Sequence, residues 1–187
     1  MSQANSILLR IAAALDPIAI WSGRIVAWLI IPMVLALTYE VVARYLFNAP
    51  TLWAYDVTFM LYGSFFMLGA AYTLQRKGHI RTDSLYSKWS VRQQAWTDVV
   101  CYLVMFLPFV AIFLWAGWPY FVKAFVTNER FVSSPWMAVT WPFKLVMPLT
   151  GLLLLLQGVA ELCKALYAAT TGQWPDAPVS LDDKATT

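Results

Sequence analysis

Charge is what this sequence has least of. Only 12% of its 187 residues are charged, about half the share carried by soluble domains, while 60% are apolar and 16% aromatic. Polar surface on that scale cannot coat a water-soluble domain, so most of the chain has lipid as its solvent.

Histidine and cysteine are nearly missing as well. With His79 the single histidine, a bis-histidine haem within one chain is excluded, and a Ser/His/Asp triad would depend on one loop residue. Cys101 and Cys163 lack CxxC spacing and fall in apolar stretches, as small packing residues do. No His/Cys cluster has zinc spacing. These absences point away from an enzyme and from any cofactor or metal. There is also no internal repeat like the duplicated halves of many secondary transporters, and no basic stripe for nucleic acid. The N-terminus lacks the pattern of a cleavable signal, so the first apolar stretch is expected to remain as a helix.

What is present is length of apolar run. Crossing a hydrocarbon core about 30 Å thick takes about 20 apolar residues at about 1.5 Å each. Stretches near 25–47, 55–75, 95–125 and 142–167 meet that requirement, which predicts an all-α integral membrane protein with four transmembrane helices. Residues 1–172 then form one membrane domain, and 173–187, with Pro175, Pro178 and three aspartates, a disordered cytoplasmic tail. Four spans put both termini on one side. Lys and Arg divide nine against four in favour of that side, which the positive-inside rule makes cytoplasmic.

Before the first span, 5–22 places Ile7, Leu8, Ile11, Leu15 and Ile18 at helical spacing, and between the second and third spans 76–92 mixes apolar and basic residues. Both read as amphipathic interfacial helices in contact with membrane lipids. Ser90 and Gln93 have capping-box spacing, which starts the third long helix there. That helix is too long for the hydrocarbon core, and Pro108 and Pro119 are its expected kink sites.

Charges inside spans are costly and default to a functional hypothesis. Glu40 and Arg44 stand at i and i+4 in the favourable orientation for an ion pair, about 9 Å below the outer end of the first span. An ion pair or subunit contact competes there with transport chemistry. Asp56 begins the second helix, where the macrodipole favours a carboxylate and a partner contact serves equally. His79, Arg81 and Asp83 fit headgroup binding, a helix cap, a subunit contact or a solvated turn.

The order Glu40-x-x-x-Arg44-Tyr45-x-Phe47-Asn48-x-Pro50-x-x-Trp53-x-x-Asp56, then Gly69-x-x-Tyr72-x-Leu74 and His79-Ile80-Arg81-x-Asp83, resembles the small membrane subunit (DctQ-like) of tripartite ATP-independent periplasmic (TRAP) transporters. Ser133-Ser134 and Trp141-Pro142 are similar to that family too. Asp56 departs from it, since a glutamate is common there. The resemblance implies a non-catalytic permease subunit in a bacterial inner membrane. Its partners would be a large multi-span membrane subunit and a periplasmic substrate-binding protein, and a sodium gradient would drive uptake of solutes such as organic acids. It also implies that Glu40, Arg44 and Asp56 order the outer helix ends, with Tyr45, Asn48 and Trp53 positioning the loop between. Glu129, Arg130, Ser133 and Ser134 become candidate docking residues for the binding protein. The competing reading is an oligomeric proton-coupled exporter using Glu40; a quinone-linked oxidoreductase would lack its cysteine pairs and histidines.

Overall fold

The computed structural model describes residues 3–76, 89–132 and 134–175. Its helices are α1 (Gln3–Ala27), α2 (Ile30–Leu46), α3 (Ala54–Gln75), α4 (Val91–Cys101), α5 (Leu107–Val126) and α6 (Trp141–Thr171), with a π-helical turn, Tyr102–Phe106, between α4 and α5. The one extended pairing among the described residues is an isolated bridge between Arg130 and Val139. The helices form four rods long and apolar enough to cross a membrane: Asn5–Leu46, Ala54–Gln75, Val91–Val126 and Trp141–Thr171.

Proline chemistry accounts for the breaks within rods. Pro32 has no N–H for the Trp28 carbonyl, and just before it the backbone tightens to three-residue bonds, Trp28 to Ile25 at 3.1 Å and Leu29 to Val26 at 2.9 Å. The π turn immediately precedes Pro108, where one wider turn makes room for the ring. α5 continues through Pro119, so only the first of the two expected sites carries an irregularity. At the start of α4, Ser90 closes the capping box with Gln93 that its spacing predicts.

α6 is the central helix. In its most apolar stretch 44% of residues are buried inside the protein, against 11% in each other rod, and it touches α1, α3, α4 and α5. The cores on either side of it are built from small residues: Ala12 with Ala160 and Cys163, and Ala95 with Ala168 and Ala169. Lipid tails are as apolar as leucine, so close backbone approach and polar contacts, rather than hydrophobic segregation, hold such helices together.

The amphipathic stripe expected over 5–22 is divided in two. Leu8 and Leu15 pack onto the Ala12 core, whereas Ile7, Ile11 and Ile18 face outward. α1 therefore lies along α6, antiparallel to it, with Asn5 near Thr170 and Asp16 near Glu161 and Lys164. Higher up, Gly23 meets Tyr72 of α3, where an added Cβ would lie 2.5 Å from the ring.

Candidate functional site

Two polar clusters stand out in this apolar frame. The first gathers at the C-terminal end of α2 and the N-terminal ends of α3 and α6. Glu40 accepts from the Arg44 guanidinium at 2.8 Å through one oxygen, and through the other from the Thr51 backbone N–H at 2.9 Å and the Thr51 hydroxyl. Its carboxylate therefore clamps the α2–α3 loop as well as its own helix. Asn48, in left-handed conformation with φ 51°, turns the chain after α2, and the Ala49 N–H returns to the Ala43 carbonyl at 3.0 Å. Trp53 stacks on Tyr39 with ring centroids 5.7 Å apart. Tyr45 is 78% exposed and points away from this packing.

Asp56 belongs to a different contact. It is buried, and the hydroxyl of Ser134 in the α5–α6 loop donates to it. The described part of that loop makes several further bonds within the chain. Asn128, with φ 45°, ends α5, and the Glu129 N–H closes on the Ala124 carbonyl at 3.0 Å. The Glu129 carboxylate accepts from Lys144 Nζ at 2.7 Å, and that ammonium also sits 3.9 Å from the Tyr120 ring centre. Arg130 donates to the Met137 carbonyl at 3.2 Å. Of the docking candidates, Glu129, Arg130 and Ser134 are thus engaged within the chain, while Ser133 lies outside the described residues. So do His79, Arg81 and Asp83.

The second cluster escaped the sequence reading. Lys164 Nζ donates to Asp16 Oδ1 and Glu161 Oε1, each at 2.8 Å, and Gln157 Nε2 donates to the same two oxygens at 3.0 Å. Two carboxylates are so bridged twice, by an ammonium and by an amide. Gln157 is 1% exposed, Glu161 4% and Asp16 7%. The spacing of 157, 161 and 164 puts all three polar residues on one face of α6, and that polar stripe on an apolar helix was the available signal. Asp16, on the partner helix, had none.

Residues 33–167 match the family model described as Tripartite ATP-independent periplasmic transporters, DctQ component. This chain belongs to that family. No curated protein matches it. DctQ proteins are multi-pass inner-membrane components of a transport system, and the four apolar rods have the architecture that location requires. The match spans the whole Glu40–Asp56 cluster and the Gln157, Glu161 and Lys164 face of α6; Asp16 precedes it.

Geometry also limits what this DctQ chain can do chemically. Glu40 has both oxygens occupied and Asp56 is held by Ser134. A groove of about 900 Å³ between α5 and α6 is lined mainly by apolar side chains, including Trp115, Trp118, Leu149 and Leu152.

Proposed function

We propose that this chain is the non-catalytic small permease subunit of a sodium-driven, binding-protein-dependent transporter, serving as a fixed scaffold for a large membrane subunit that carries solute and moves. The observation that carries this is the family match, together with the way the chain spends its in-membrane charges on its own helices. A subunit that cradled solute would need polar groups facing a cavity; the buried carboxylates here, Asp16, Asp56 and Glu161, face partners within the chain.

In this reading both termini are cytoplasmic, and the α2–α3 and α5–α6 loops face the periplasm, where the binding protein delivers its cargo. Organic acids are the solute class proposed, selected by the partners. Docking on the α5–α6 loop would use Arg130, which is exposed although one N–H holds the Met137 carbonyl, so reversing its charge should weaken binding-protein association. Unchanged association would remove this loop from the docking surface.

The decisive experiment purifies the tagged chain in mild detergent with its genetic neighbours and identifies what co-elutes. A large multi-span subunit is expected. Driven uptake into liposomes by this chain alone would overturn the scaffold assignment and favour the exporter reading.

A further inference from the structure

α1 has a second apolar face that the core does not use. Ile7, Ile11, Ala14, Ile18, Trp21 and Ile25, with Trp28 just past the end of α1, follow one another at alternating steps of four and three, and all are exposed, Trp21 at 61% and Trp28 at 70%. Alternating steps of this kind are the seam of a helix pair, with these residues at a and d of a heptad. The buried residues of α1, Ala12, Asp16, Ala19 and Val26, lie on the opposite side. The seam covers about 33 Å of helix.

Lipid tails account poorly for a stripe in this place. α2 alone, with 17 residues, spans about 26 Å of a hydrocarbon core about 30 Å thick, and the rod that contains it has 42 residues. α2 exposes apolar groups around most of its circumference, as a lipid-facing helix does. On α1 they are bordered instead by Arg10 and Arg24, both exposed, two heptads apart at the g position. Neither finds a carboxylate among the described residues; the Arg24 guanidinium lies 5.6 Å over the Trp21 ring.

A second copy of this chain would fit the seam badly. Parallel pairing sets the g arginines against e positions, which here are Leu8, Leu15 and Ser22; antiparallel pairing sets arginine against arginine. The complement is a long helix with its own apolar seam and carboxylates beside it.

We propose that the outer face of α1 docks such an acidic-edged helix of the large membrane subunit. The proposal rests on the small-subunit reading above and names the surface that reading needs. Arg10 and Arg24 set the register of the pair, and the isoleucines and tryptophans fill the seam.

The test uses the full chain co-expressed with its large subunit, with Cys101→Ser to remove the exposed thiol; Cys163 is buried. Single cysteines replace Ile11, Ile18 or Ile25 on the seam, or Ala13 or Ala27 beside it, and carry a maleimide benzophenone for photocrosslinking. Adducts to the large subunit from the three seam positions, and far fewer from the two controls, are expected. Arg10→Glu with Arg24→Glu should lower recovery of the large subunit by about tenfold, the scale of two lost flanking ion pairs, and the lysine pair should restore it. An intact complex whose seam probes label only lipid or a second copy, or label no more than the controls, would overturn the proposal. If the unmodified chain recovers no large subunit, the small-subunit reading itself falls.

Discussion

The Ser134 hydroxyl donates to the Asp56 carboxylate across 78 positions of sequence, and one contact fastens the α5–α6 loop to the start of α3. The serine oxygen also accepts from the Trp136 N–H at 3.2 Å, so the same side chain shapes the loop it anchors. Asp56 thereby combines the helix-dipole role with a tertiary tie.

Ser134→Ala leaves a buried carboxylate short of a donor, which costs about 1–3 kcal/mol. A lower melting temperature in detergent and faster proteolysis within 127–140 are expected. Asp56→Asn, which still accepts the serine hydrogen, should do less. Equal stability of Ser134→Ala and the parent protein would show that the contact contributes nothing.

Glu40 gives a prediction that separates scaffold from exporter. Its Arg44 partner is 55% exposed, whereas the carboxylate is 12% exposed and also holds Thr51. Arg44→Ala should therefore be milder than Glu40→Ala, which frees the loop. Solute uptake by the assembled transporter should persist in Glu40→Gln, measured with labelled substrate in proteoliposomes. Abolished uptake with an intact complex would put chemistry at Glu40.

Local rules made part of this legible. Apolar runs announced the four rods because lipid dictates composition over lengths near 20 residues. The Glu40–Arg44 pair and the Ser90 capping box showed in spacing alone, since each lies within one helical turn. Thr51, Ser134 and Lys144 did not, because their partners lie 11, 78 and 15 positions away. The division of the 5–22 stripe was equally hidden: in a membrane protein an isoleucine facing out and a leucine facing in give the same pattern.

The Asp16, Gln157, Glu161 and Lys164 cluster supplies a sign test. Removing the cation with Lys164→Met leaves two buried carboxylates facing each other, a loss of about 3–5 kcal/mol, and α1 should detach from α6. Adding Asp16→Asn and Glu161→Gln removes the uncompensated charge and should recover much of that loss. Unfolding titrations in mixed micelles read both. A triple variant no more stable than Lys164→Met would mean that packing rather than charge sets the cost.

Two glycines of opposite surroundings test how tightly the rods meet. At Gly158 a Cβ would lie 2.5 Å from Phe106 Cε1 and 2.9 Å from Cδ1, so the α6 backbone sits under a ring carried by the π turn. Gly158→Ala forces that ring aside, at about 1–3 kcal/mol for an overpacked site. Phe106→Leu in the same chain should give part of it back. At Gly69 a Cβ would meet nothing within 4 Å, and the residue lies inside α3. Gly69→Ala should raise the stability of the isolated chain by up to about 1 kcal/mol, through lower backbone entropy in the unfolded state. The same variant in the co-expressed complex reports on the space outside Gly69. Retained recovery of the large subunit means lipid fills it, whereas loss of the complex from a more stable chain means that a partner helix packs against the glycine.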